Sequence, residues 1–198
     1  NDGTLETLIV QDALLFSVLA SDFGSAQKVS SIMENRGVKL PTIGLISIAA
    51  HYKRKEYDKV ANLVFKYKET LPNYLLSLVL GWTKIAQGSF EAGVQHFTSL
   101  NGNSRYLGLY NSAVALAMSG DFQKALPFLE ELGRYRLQFD EIQLQVMAQI
   151  YSNNNLNSRA IDIIEAYEVT HKTNTFESML LSLRNDQLLP FNVLNSPA

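Results

Sequence analysis

The chain has 198 residues, Lys+Arg 17 against Asp+Glu 19 for a formal net charge of −2, and no cysteine. The near balance of charge argues against non-specific nucleic-acid binding, which rests on neutralising phosphates. The missing cysteines exclude disulfides and thiolate metal sites. A hydrophobic share of 46% is that of an ordinary globular protein, and no apolar run is long enough to span a bilayer. No Asn-x-Ser/Thr sequon occurs, which favours an intracellular protein, and Asn1 in place of a Met reads as the start of an excised or processed fragment.

In chain order, residues 1–22 read as a first helix, with Leu5, Leu8, Ile9, Leu15, Phe16 and Leu19 as a broad apolar stripe. Gly24 to Arg36 reads as its partner, ended by Gly37. A third helix runs from Pro41 to Arg54, where the missing proline N–H does no harm, and a fourth from Glu56 to Thr70. Pro72 opens a fifth that ends near Gln87. Ser89 opens a sixth that ends near Leu100, followed by the turn Asn101-Gly102-Asn103. Tyr106 to Leu132 then reads as two helices around Gly120, with Asp121 capping the second and Pro127 bending it. Residues 139–153 and 156–170 form another pair about the polar turn Ser152–Asn155. Asn174, with Glu177 three positions on, reads as a capping pair that opens a final helix to Asn185. Residues 190–198 read as an irregular tail.

The stretch Tyr106 to Leu132 is an αα-hairpin, and a lone hairpin cannot bury its own apolar face, so a repeat is expected. Stepping from Gly120 gives breaks at Gly24, Lys55, Gly88 and Asn155. Gly and Asn tolerate the left-handed conformation that ends a helix; Lys55 offers no such reason. Five residues after each break stand Val29, Val60, Gly93, Ala125 and Ala160; nine after stand Met33, Val64, Phe97, Leu129 and Ile164. Small or apolar residues thus recur in register. The fold expected is all-α: an α-solenoid of about five hairpins with a C-terminal capping helix, in one domain over 1–189, followed by the tail.

This pattern resembles the tetratricopeptide repeat (TPR). Gly81, Ala113 and Ala148 stand at that family's small slot in the first helix of each repeat, Gly93, Ala125 and Ala160 at its small slot in the second, and Pro41 and Pro72 at its closing proline. The resemblance implies a right-handed superhelix that binds proteins, with the first helices lining a concave groove. Carried onto this chain, the groove slots include Leu45, Tyr52 and Lys53; Leu75, Leu78, Trp82 and Ile85; Leu107, Tyr110, Val114 and Met118; and then the polar set Gln145, Gln149, Ser152 and Asn153. The carboxylate-clamping lysines and asparagines of chaperone-binding relatives are missing from the matching slots. The apolar groove implies a hydrophobic peptide or amphipathic helix as ligand, with Trp82 and the tyrosines as anchors. Alternatively, an intramolecular segment fills it. Over residues 74–185 the chain also resembles the C-terminal TPR region of the subunit-twelve family of the TRAPP vesicle-tethering complex, through Asn111-Ser112-Ala113-Val114 ahead of Gly120, Leu129-Glu130, Phe90 with Phe97-Thr98, and Thr175-Phe176 with Leu181-Ser182-Leu183. That implies a cytoplasmic scaffold subunit, peripheral at Golgi or pre-Golgi membranes, among other protein subunits in ER-to-Golgi transport.

Catalytic patterns are not evident. His51, His96 and His171 lack metal-ligand spacing, the glycines form no phosphate loop, and no Gly-x-Ser-x-Gly elbow occurs. His51 reads as a packed or hydrogen-bonded histidine, and Glu130-Glu131 as a solvated helix end. The expectation is a non-enzyme without cofactor or metal. Lys53, Arg54, Lys55 and Lys59 form a locally basic region: a solvated face, or a patch for an acidic segment or anionic lipid headgroups.

Overall fold

The computed structural model describes residues 2–135 and 139–192. Its regular elements, among the described residues, are all helical. One compact unit, Asn1–Ser89, holds α1 (Asp2–Leu19), α2 (Phe23–Asn35), α3 (Pro41–Lys53), α4 (Tyr57–Lys66) and α5 (Asn73–Ala86). The second, Phe90–Ala198, holds α6 (Phe90–Thr98), a 3-10 turn (Gly102–Ser104), α7 (Arg105–Met118), α8 (Phe122–Leu132), α9 (Glu141–Asn153), α10 (Asn157–His171) and α11 (Glu177–Arg184). Within each unit every helix packs on the next in sequence. That is the packing of a helical solenoid rather than of a bundle around one centre.

One turn, used repeatedly, sets this order. Ser21, Lys55, Gly88, Gly120, Asn155 and Asp186 all have positive φ, from 53° to 83°. Each amide donates three residues back, and the next amide donates five back, as in Asp121 N–H to Leu116 O at 2.9 Å and Leu156 N–H to Tyr151 O at 3.0 Å. This double bond satisfies carbonyls that a helix end leaves open. These six turns close α1, α3, α5, α7, α9 and α11, and Gly37 repeats the geometry at the end of α2, with Gly37 N–H to Glu34 O and Val38 N–H to Met33 O both at 3.0 Å. Two expectations are thereby corrected. Lys55 does take the left-handed conformation, despite a cost of about 1 kcal/mol for a side chain there. The first break is Ser21, not Gly24, which lies inside α2.

With the break at Ser21 the core falls into register. Five residues after the turns, Ala26, Val60, Gly93, Ala125 and Ala160 are buried. Nine after, Ser30, Val64, Phe97, Leu129 and Ile164 are buried. Twelve after, Met33, Tyr67, Leu100 and Leu132 complete the stripe. Asp22 caps α2 through Ser25 N–H at 3.0 Å, and Asp121 caps α8 through Lys124 N–H at 3.2 Å. Pro127 lies inside α8.

Helix α4 stops at Lys66, short of the expected Thr70, and its C-cap residue Tyr67 is buried and joins a polar knot. The Glu34 carboxylate accepts from Tyr67 Oη at 2.6 Å, Lys66 Nζ at 2.9 Å and Ser47 Oγ at 3.0 Å, tying α2, α3 and the end of α4 together. Burial alone raises this carboxyl's pKa, but the three hydrogen bonds outweigh it and hold the group below the usual range. Tyr67 lies flat against Gly44, where an added Cβ would sit 2.7 Å from its ring. In the second unit Gly108 plays the same part: a Cβ there would meet Phe97 O at 2.3 Å, so α6 and α7 touch backbone to backbone.

Two local expectations fail. Asn174 does not cap the last helix; Phe176 stands at the cap position, and its N–H is taken by Glu168 Oε1 at 2.9 Å. Glu130 and Glu131 are not merely solvated. Arg105 grips Glu131 through Nε and Nη2 at 3.0 and 3.1 Å and donates to Thr98 O at 3.1 Å, while Arg159 reaches Glu130 at 2.7 Å.

Candidate peptide-holding face

Among the described residues no second helix follows the turn at Asp186. Pro190 disfavours the helical conformation for Leu189, and residues 187–192 run without regular structure beside α9. The expected irregular tail therefore begins as a docked segment; residues 193–198 lie outside the described residues.

Helix α9 is built to receive it. Its start is fixed by a capping box: Gln143 N–H donates to Asp140 Oδ1 at 2.8 Å, and Asp140 N–H donates to Gln143 Oε1 at 3.1 Å. Gln149, Ser152 and Asn153 follow at spacings of three and four, which puts them on one face. Gln149 is 3% exposed and Ser152 fully buried, so their polar atoms need partners. They find them in the tail's main chain. Leu189 N–H donates to Ser152 Oγ at 3.1 Å, and Asn153 Nδ2 donates to Leu189 O at 2.8 Å. Asn192 N–H donates to Gln149 Oε1 at 3.0 Å. The donor and the acceptor of one residue and the donor of another are thus read by side chains.

The tail's side chains add to the hold. Leu189 is 5% exposed. The Phe191 ring stands edge-on to Phe122 with centroids 5.4 Å apart, and Asn154 Nδ2 pins the Phe122 carbonyl to the end of α9 at 2.9 Å. Leu189 and Phe191 face the protein while Pro190 is exposed, the alternation of an extended chain lying on a surface. The sequence places Gln149, Ser152 and Asn153 at groove slots but does not single them out as a binding site, because they are polar where the slots of α3, α5 and α7 are apolar. The signal was present: three amide or hydroxyl side chains at helical spacing, and a Leu-Pro-Phe run downstream.

The predicted groove residues divide between the units. In the first, Leu45 is exposed, and Leu75, Leu78 and Trp82 are half-buried. Tyr52 donates its hydroxyl to Trp82 O at 3.0 Å and sets its ring edge against Tyr57, while Ile85 is buried. In the second, Leu107 and Tyr110 are half-buried, Val114 is buried and Met118 is exposed. Burial, with Asp140 adding to it, pushes the Tyr110 phenol up to about 12.

Lys53, Arg54, Lys55 and Lys59 are all exposed, but Glu56 organises the cluster. Its carboxylate takes Lys59 Nζ at 2.9 Å, His51 Nδ1 at 2.5 Å and Arg54 Nε at 3.0 Å. The hydrogen bonds from Lys59, His51 and Arg54, in that order, hold the Glu56 carboxyl at about 2. His51 is therefore a hydrogen-bonded member of this network. Among the described residues no group of His, Asp and Glu is arranged to hold a metal ion, and no helix is long and apolar enough to cross a membrane.

Comparison with protein-family models, curated proteins and solved structures gives no match.

Proposed function

We propose that this chain is a protein-interaction scaffold of the tetratricopeptide kind, which holds segments of partner subunits and performs no reaction of its own. One observation carries the reading: side chains of α9 grip extended backbone at Leu189 and Asn192, which is the chemistry of a surface that holds chain segments. The first helix supports it. Ile9 and Phe16 are 59% and 67% exposed, yet they stand twelve and five residues before their turn, at slots where later first helices bury Ile43, Leu76, Thr83 and Ala115. Exposed apolar residues at a slot built for burial mark a face that another helix covers.

The assembly we propose is a vesicle tether of the TRAPP type, in the cytoplasm and peripheral at Golgi or pre-Golgi membranes. That assignment rests on the sequence resemblance over residues 74–185. Crosslinking and mass spectrometry of the native complex test it. Crosslinks from α1 or α9 to tethering subunits are expected; a chain recovered with no partner subunit overturns the scaffold reading, and one recovered with unrelated subunits overturns the tethering assignment.

A further inference from the structure

We propose that the α9 face is a recognition site for an extended peptide of a partner protein, with an aliphatic residue, then proline, then an aromatic, and that Leu189–Asn192 is its built-in competitor. This rests on the scaffold reading and names the ligand class and the regulation of that face. The contacts define what the site can select. Ser152, Asn153 and Gln149 bind only main-chain groups, so they specify an extended conformation and not a sequence. Sequence enters at two points, the buried pocket around Leu189 and the Phe122 ring beneath Phe191. The proline between them points outward and keeps the residue before it extended, which lowers the entropy lost on docking.

Nothing in this set requires the segment to be joined to α11. The tether is short: α11 ends at Arg184, the chain turns at Asp186, and the first gripped residue is Leu189. A short tether supplies the segment at an effective concentration on the order of millimolar. A partner's peptide must compete with that, so the full chain binds weakly, and a chain whose tail is displaced binds well. The polar slots carry the same logic. Gln149 and Ser152 are buried with Leu189–Asn192 in place, so a competing segment must offer them main-chain partners of the same kind.

The test uses a fluorescein-labelled peptide with the sequence of Asp186–Asn192 and reads its anisotropy. The full chain, the chain ending at Gln187, and a full-length Leu189→Ser/Phe191→Ser variant are compared. The last keeps the tail covalently intact should the truncated chain fail to fold. Both altered chains are expected to bind the peptide at least tenfold more tightly than the full chain. Adding Asn153→Ala to either should abolish that gain, and a peptide with serine in place of the leucine and phenylalanine that match Leu189 and Phe191 should not bind. Altered chains that keep their helical circular dichroism but bind no better than the full chain overturn the proposal, as does binding indifferent to Asn153→Ala. Either failure leaves the scaffold reading standing, because crosslinks to partner subunits are measured independently.

Discussion

Replacing Glu34 with alanine should cost the first unit about 3 kcal/mol, well above the effect of an ordinary surface carboxylate. The figure follows from what the carboxylate holds. The Tyr67 hydroxyl, at 2.6 Å, belongs to a fully buried residue and would lose its acceptor, at about 1–3 kcal/mol. Ser47 is 6% exposed and would lose a bond worth about 1 kcal/mol. The pair with Lys66, whose side chain is 41% exposed, adds no more than about 0.5 kcal/mol. Alanine's helix propensity returns about 0.5 kcal/mol. Tyr67→Phe removes one donor and leaves the other two bonds, so it should cost about 1–2 kcal/mol. The double variant should then cost about 1 kcal/mol less than the two singles summed, because the hydroxyl and its acceptor are missed only once. Urea unfolding followed at 222 nm measures all three. A loss below about 0.5 kcal/mol for Glu34→Ala, or strict additivity in the cycle, would refute the idea that this group ties three elements.

The carboxyl pKa values set a pH dependence. Glu56 titrates at about 2 in the folded chain against an ordinary 4.5, so its contribution is complete above pH 4.5 and is lost as pH falls toward 2. Between those limits the native chain should lose stability more steeply than Glu56→Gln, and a carboxyl signal titrating near 4.5 would contradict the network. Gly108→Ala should cost about 2 kcal/mol by forcing α6 off α7, whereas Gly24→Ala, whose nearest neighbour would be 3.6 Å away, should gain up to about 1 kcal/mol; thermal melts of the two variants should move in opposite directions. Ser30 occupies a slot that is apolar in the other repeats, and its buried hydroxyl has no partner, so Ser30→Ala should raise the melting temperature by a few degrees.

Helix positions were legible in the sequence because the signals are local. Gly88 and Gly120 mark their turns by needing positive φ, and Asp121 caps as its spacing indicates. The register of the first hairpin was not legible. Gly24 offered a glycine where one was wanted, while the residue that takes the turn, Ser21, carries no such mark. Lys55 misled in the opposite sense, since packing on both sides of a turn can hold a lysine in a conformation it would not choose. The site was obscured by distance along the chain. Asn153 meets Leu189 across 36 residues and Gln149 meets Asn192 across 43, and no periodicity of the helices encodes those pairings. The Glu34 knot was hidden for the same reason, joining positions 13 to 33 apart. Asn174 shows a local rule losing to a neighbour: Glu168, one helix earlier, claimed the amide that a capping side chain would have taken.

The repeated left-handed corner also dictates where this molecule can change length. A helix advances about 100° per residue, so one residue added beside Gly120 or Asn155 would swing the next helix's oily side toward water. The joints after Gly37 and Lys172 have more slack: Gly37 repeats the corner, but residues 38–40 separate it from the start of α3 at Pro41, and residues 173–176 separate Lys172 from the start of α11 at Glu177. Growth and trimming of the array are therefore confined to alternate joints, and any variant that gains residues should carry them there.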